Sequence, residues 1–500
     1  GRGGGTIVNV ATKSGTNECH GTLYEFVRNE YFDARPYFSS GKSPLKLNQF
    51  GGALGGPIKQ NRLFFFGNYE GLRQRSAGSP PVYRIFTDAE RSGVFSTVIK
   101  DPFTKVPFGD NTIPASQINP ISKNILKLLP SPNRSDPLRN YVFEGRPPGV
   151  TTTDNAVIRT DYNLSQNDII YGRYLLNQEK YGTSPAWPAP ANANGTDLSL
   201  RGQGASAHWN HVFTPTLINS LSLGYTRYRN LLATLNSFKQ DFITAAGITN
   251  TLSAVDPLFW GVPNVSVTGY SMPGDGTPNY RKTNNYQIQD SIFWSRGKHN
   301  MKAGMDLRQV RENMFYTGGN GSTAFANNYT GSPIADFLLG WASQSTKTAR
   351  ATQWNSKVYY FGGYVQDDWK VTPKLTLNIG LRYEVESALK QIDNGGLGFD
   401  VKSGTMLISK YATNAAAIQA FYKDIRPGIP IQFVEQKTPY DADTNNIAPR
   451  FGFAYRVLSS TIFRGGYGIY YDAPQIQSLA STNDFAPNTL RPIWTAASTV

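Results

Sequence analysis

Cysteine is nearly absent from this chain of 500 residues: Cys19 stands alone. That excludes an internal disulfide framework and a thiolate metal cluster, and leaves Cys19 as a small strand residue. No run of about 18 apolar residues occurs, which excludes a transmembrane helix. Histidine is scarce, at 4 residues, and no Ser-His-Asp or Cys-His constellation can be assembled, so the expectation is a protein that is not an enzyme and carries no cofactor. Long runs of one charge are also missing. The net charge of +14 comes from Lys and Arg scattered over the chain, without a nucleic-acid-binding module; it reads as a solvated surface in contact with anionic lipid headgroups, not as a nucleic-acid site. The chain opens Gly1-Arg2-Gly3-Gly4-Gly5, with no initiating Met or signal peptide, and reads as an internal piece of a longer exported protein.

Aromatic residues are plentiful, at 13% with 28 Tyr and 28 Phe, as interfacial girdles at two membrane surfaces require. Strand-length alternation is equally plain. After the turn Thr372-Pro373-Lys374, one face carries Leu375, Leu377, Ile379, Leu381 and Tyr383, and the other Thr376, Asn378, Gly380, Arg382 and Glu384. Period two over ten residues is a strand with one oily and one wet face. In a membrane barrel only alternate residues face lipid, so an apolar fraction of 39% is sufficient.

Thirteen such strands are expected, near residues 19–28, 47–56, 62–72, 154–163, 168–178, 204–213, 217–229, 284–295, 298–311, 357–369, 374–386, 447–456 and 461–471. Six short links, 57–61, 164–167, 214–216, 296–297, 370–373 and 457–460, alternate with six long loops, 29–46, 73–153, 179–203, 230–283, 312–356 and 387–446. A soluble sandwich has short loops at both ends; outer-membrane barrels have short periplasmic turns and long external loops. The apolar stretch Ile334 to Trp341 would break this alternation as a strand. Ser332-Pro333 with Asp336 predicts instead a short helix inside an external loop. A second helical turn is expected at Ile121 to Leu129.

Gly3-Gly4-Gly5-Thr6-Ile7-Val8-Asn9-Val10 through Asn17 resembles the last plug strand of a TonB-dependent outer-membrane receptor, leading into the first barrel strand. Gly21-Thr22-Leu23-Tyr24-Glu25-Phe26, Asn48-Gln49-Phe50-Gly51-Gly52, Leu63-Phe64-Phe65-Phe66-Gly67-Asn68-Tyr69-Glu70-Gly71 and Gln366-Asp367-Asp368-Trp369-Lys370 are similar, in order and spacing, to the Oar-like branch of that family. The resemblance spans nearly all of residues 1–475. It implies an all-β fold, a transmembrane antiparallel β-barrel of about 22 strands in the intact protein, with about thirteen of them here. Residues 1–17 would be the C-terminal end of the plug domain, and 18–500 the N-terminal part of the barrel. It further implies uptake of a bulky solute (oligosaccharide, peptide or metal chelate) across the cell outer membrane. The partners would be outer-membrane lipid and a TonB complex engaged through the upstream region. A surface adhesion or secretion-assisting barrel that binds proteins through its loops is the alternative.

Alternation sends Arg159, Asp161, Arg173, Lys302, Asp306, Arg308, Arg382, Glu384 and Arg450 toward the lumen. There they pair with a plug or guide a polar solute, or else only hydrate the wall. Trp187, Trp260 and Trp354 fall in long loops, where they either stack on flat ligands such as sugar rings or pack the loops together. No metal site is expected: His208 and His211, three apart on a strand, point to opposite faces. The neighbours Asp367 and Asp368 are divided in the same way, which argues against acid–base chemistry. Gly1 to Ser14 does not meet the spacing of a phosphate-binding loop.

Overall fold

The computed structural model describes residues 11–500 except 36, 38–40, 79, 250, 255, 277, 317–320, 347–351, 392–395, 412–429, 436, 437, 439, 440, 473–492 and 496–500. Its centre is one long antiparallel sheet whose wall strands pair in chain order. They are β1 (His20–Asn29), β2 (Leu45–Lys59), β3 (Leu63–Ser76), β4 (Gly149–Asn163), β5 (Asp168–Gly182), β6 (Thr196–Thr214), β7 (Leu217–Thr234), β8 (Asn279–Arg296), β9 (His299–Tyr316), β10 (Thr352–Thr372), β11 (Leu375–Glu386), β12 (Asp443–Leu458) and β13 (Thr461–Gly468). All thirteen expected strands are present. Among the described residues no ladder joins β13 back to β1.

Short links of two to four residues close one end of the sheet. Gly297 takes φ +60° in the two-residue link between β8 and β9, as a tight hairpin demands. Several of these hairpins shift register by one residue beside the turn, at Pro57/Lys59, Val212/Thr214, Lys370/Thr372 and Arg456/Leu458. Such bulges sharpen the local twist where the chain reverses.

At the other end most strands run further than alternation indicates: β4 begins at Gly149, β6 at Thr196, β8 at Asn279 and β10 at Thr352. The reason is solvent. Beyond the membrane both faces are wet, so stretches such as Asn279 to Asn285 lose the oily positions while the backbone ladder continues.

The long loops build a cap with its own apolar core. Ile85, Phe86, Ile99, Ile113, Phe337 and Leu338 are completely or almost completely buried. Both expected helical segments lie in this cap, as α1 (Pro120–Leu126) and α2 (Pro333–Leu339). Helix α2 starts on an N-cap Ser332 with Pro at its first turn and ends at Gly340, φ +82°. The N–H of Asn119 donates to the carbonyl of Leu338 at 2.7 Å, and Ser122 Oγ donates to that of Phe337 at 2.5 Å. One loop, far away in sequence, thereby satisfies two of the free carbonyls at the end of α2.

Asp336, in the first turn of this helix, is fully buried. It accepts from Thr330 N at 2.8 Å and from Thr330 Oγ1 at 2.6 Å. Burial pushes its carboxyl above the ordinary carboxylate range, against the lowering effect of those bonds. Burial raises Asp275 in the same way. The folded cap therefore holds protons that the unfolded chain has already released. Each group's contribution to stability falls as pH rises from about 3.9 through the raised value, and levels off above it. The expected result is that the difference in hydrogen-exchange protection of residues 330–338 between wild type and Asp336→Asn shrinks with rising pH over that window. A difference that grows with pH would contradict the assignment.

Candidate lumen site

The two faces of the sheet are divided by chemistry, and the polar face is the more occluded one. Asp306, Glu312 and Glu384 are 5%, 2% and 5% exposed, whereas Leu307, Phe361, Ile379 and Leu381 on the opposite face are 37%, 40%, 46% and 48% exposed. A soluble sheet buries its oily face. This sheet turns its oily face out and its charges in, the arrangement of a barrel whose exterior solvent is hydrocarbon.

Cross-strand register ties the inner positions together. Arg159 faces Arg173, which faces Ser206; Gln287 faces Arg308, which faces Tyr360. Three ion pairs lie along single strands at i and i+2: Arg159–Asp161, Arg308–Asp306 and Arg382–Glu384. Residues two apart share a face, so on β4, β9 and β11 an inward arginine is neutralised by a carboxylate of its own strand.

Arg159 grips Asp161 through Nε at 2.9 Å and Nη2 at 2.6 Å. Its guanidinium also lies 4.3 Å from the Tyr171 ring centroid, and its Nη1 donates to the Thr12 carbonyl at 3.1 Å and to Thr12 Oγ1 at 3.0 Å. Arg173 Nε donates to Ser206 Oγ at 3.0 Å.

Across the sheet a second cluster surrounds Tyr360. Its hydroxyl donates to Glu384 at 2.8 Å and accepts from Arg382 Nη2 at 2.7 Å, and its ring lies 5.4 Å from the Arg308 guanidinium. Gln287 Nε2 donates to Asp306 at 2.9 Å. Lys302 sits 4.5 Å from the Phe293 ring and 5.7 Å from that of Tyr364. Arg450 lies over Tyr470 at 4.6 Å. The nine charged residues singled out from the sequence thus share one face, in two clusters plus Arg450. Sequence reasoning missed Tyr171, Tyr360 and Tyr364, although their parity along β5 and β10 already puts them on that face.

The tryptophans are placed differently. Trp187 is 1% exposed, stacked on Tyr83 at 4.4 Å inside the cap core, so packing accounts for it. Trp260 is half-buried and donates to the Ser253 carbonyl at 3.1 Å. Trp354 is not in a loop: it pairs with Met314 on the external end of β10, because the wet upper ladder runs past the last oily position. His208 and His211 are divided as expected. His208 turns inward, 2.8 Å from Ser222 Oγ, and His211 outward, 2.7 Å from Asp168. Asp368 accepts from Asn378 inside, and Asp367 lies 2.6 Å from His299 outside.

The segment ahead of β1 lies against the wall at the turn end of β2 and β3. Residues 11–17 carry no ladder, and 1–10 lie outside the described residues. Gly15 packs so closely on β2 and β3 that a Cβ there would sit 2.3 Å from the Phe65 carbonyl oxygen and 2.6 Å from that of Gly56.

A family model described as outer membrane beta barrel domain matches residues 11–499. The chain belongs to that family. As an outer-membrane barrel it resides in the outer membrane. It is 24% identical over 445 residues to the TonB-dependent transporter Oar of Myxococcus xanthus, a match that covers 77% of this chain and 38% of the relative. The chain therefore spans less than half the length of that curated relative. Among solved structures it is similar to the outer membrane transporter YddB from Escherichia coli, with TM-score 0.44 and 8% identity over 92% of this chain and 44% of the other. It is also similar to the siderophore receptor PirA from Acinetobacter baumannii, with TM-score 0.41 and 10% identity over 93% and 44%.

Proposed function

We propose that this barrel is part of a TonB-dependent transporter that moves a bulky polar solute across the outer membrane. The observation that carries the reading is the docking of the N-terminal segment on the inner wall through Thr12 and Arg159. In this reading residues 1–17 are the end of a plug, and residues 18–500 belong to the barrel around it. The likeness to Oar supports the same assignment.

Solute binds first among the external loops and at the plug apex. A TonB complex then pulls the plug, drawing on the proton gradient, and the paired charges of the inner wall line the opened path. Arg159, Asp161, Arg173, Lys302, Asp306, Arg308, Arg382, Glu384 and Arg450 keep that path wet. No catalytic step and no cofactor enter. Of the loop tryptophans, half-buried Trp260 is the one assigned here to contact an oligosaccharide, peptide or chelate; Trp187, at 1% exposed, is not.

The test is uptake by cells carrying the full-length protein, read with a panel of labelled oligosaccharides, peptides and metal chelates. Accumulation of at least one is expected, and its loss on deletion of TonB or on collapse of the proton gradient. Accumulation that survives both treatments would refute energised transport, and accumulation of none alongside protein capture at the loops would favour an adhesin. Arg159→Ala is expected to free residues 11–17 and raise their rate of cleavage by a protease added to the periplasmic side. An unchanged cleavage rate would remove the anchoring role of Arg159.

A further inference from the structure

The inward cations are not all held alike. Arg159, Arg308 and Arg382 each have a carboxylate two positions away on the same strand, and Lys302 and Arg450 rest against aromatic rings. Arg173 has Tyr171 and Leu175 at the corresponding positions, and among the described residues no carboxylate pairs with it. Its Nε donates to Ser206 Oγ at 3.0 Å, which leaves the Nη end of the fork for another partner. A half-buried cation without a counter-ion is costly to keep, so this position asks for an anion from outside the wall.

Beside Arg173 the wall is hollowed. Arg173, Ser206, Gly224 and Gln287 follow one another in register across β5 to β8, and with Gly204 they border a hollow of about 190 Å³. A Cβ added at Gly204 or Gly224 would have its nearest neighbour 3.7 Å away, an ordinary contact. Packing does not demand glycine at either position; what the two glycines supply is room. The rest of the lining is short and neutral, with the hydroxyl of Ser222 and the carboxamides of Asn285, Gln287 and Gln289, groups that both donate and accept. Asn285 Oδ1 has no hydrogen-bond partner, an acceptor left for a donor that the wall does not contain. Of the inward side chains lining the hollow only Leu175 is apolar, so an acyl chain or an apolar peptide side chain gains little there.

We propose that this hollow is a transit subsite for an acidic sugar unit, so that the solute is an oligosaccharide carrying carboxylates, an inference that rests on the transport reading above and narrows its solute. The sugar carboxylate accepts from the Nη groups of Arg173, a charge-assisted fork suited to planar carboxylates. The ring hydroxyls exchange hydrogen bonds with Ser222, Gln287 and Gln289, and one donates to Asn285 Oδ1.

The test places a reporter thiol at the rim of the hollow, Thr226→Cys with Cys19→Ser, in the full-length protein held in lipid nanodiscs. Its rate of reaction with a water-soluble maleimide is read in the presence of trigalacturonate, of the fully methyl-esterified trimer, which keeps the ring hydroxyls without the charge, and of inorganic phosphate. Trigalacturonate is expected to protect the thiol, and equal protection by the ester or by phosphate is expected to need a concentration roughly tenfold or more higher. Adding Arg173→Gln is expected to erase the preference for the acid, and adding Gly224→Val, which fills the hollow without touching a charge, to abolish protection. A thiol that does not react, no protection, equal protection by the ester or by phosphate, or unchanged protection in either variant would each overturn the proposal. The first three are read with Arg173 and both glycines intact, so the proposal can be refuted even if the variants do not fold. Protection needs neither TonB nor a proton gradient: its failure removes the subsite alone, whereas intact protection with no energised uptake counts against the transport reading.

Discussion

Arginine in place of Leu223 is expected to destabilise the folded barrel by roughly 2 to 4 kcal/mol, while arginine in place of Thr226 costs under about 1 kcal/mol. The two positions lie three apart on β7 and so on opposite faces. Leu223 is 46% exposed, between Ala207 and Ile288 on the oily side. Thr226 lies between Gly204 and Asn285 on the wet side. A guanidinium at the first must enter hydrocarbon or distort the bilayer; at the second it meets water. Urea titration of full-length variants folded into vesicles measures both, and equal losses would overturn the orientation of β7. Leu377, with its neighbour Asn378, shows the same division at a poorer place to measure it. It is two residues into β11 from the turn, where the penalty for charge fades.

The second large effect is expected at Glu384, which is 5% exposed and held by Arg382 and Tyr360. Glu384→Ala leaves the Arg382 guanidinium enclosed without its counter-ion, and about 3 to 5 kcal/mol of stability is lost. Removing both charges in Arg382→Met/Glu384→Leu costs much less, because no orphan charge remains. A double variant as unstable as the single one would show that packing, not charge, governs this knot.

These contrasts also explain what could be read from the sequence. Alternation between a hydrocarbon and a watered face left a period-two mark on every wall strand, so the strands, and the sharing of one face by the charged set from Arg159 to Arg450, were legible. The helix at Pro333 was legible too, because Ser332, Pro333 and Asp336 are local signals. The upper ends of β4, β6, β8 and β10 were not, since a strand in water on both sides keeps its hydrogen bonds without any oily positions. Trp354 was misplaced in a loop for that reason. The cap core was hidden as well: Trp187 stacks on Tyr83, and Ser122 bonds to Phe337, through contacts between loops that no periodicity records. At the candidate site, the tyrosines were overlooked because attention went to formal charge. Tyr360 has none, yet it joins Arg308, Arg382 and Glu384 into one unit.

The central claim is that the oily face of this sheet meets lipid and the charged face meets water. Spin labels placed singly at residues 378 to 385 of β11, with Cys19→Ser in the full-length protein reconstituted in vesicles, test it most directly. Accessibility to oxygen, which concentrates in the bilayer, and to a water-soluble nickel complex is read at each position. Oxygen is predicted to peak at 379, 381, 383 and 385 and nickel at 378, 380, 382 and 384. An inverted or absent two-residue oscillation would contradict it.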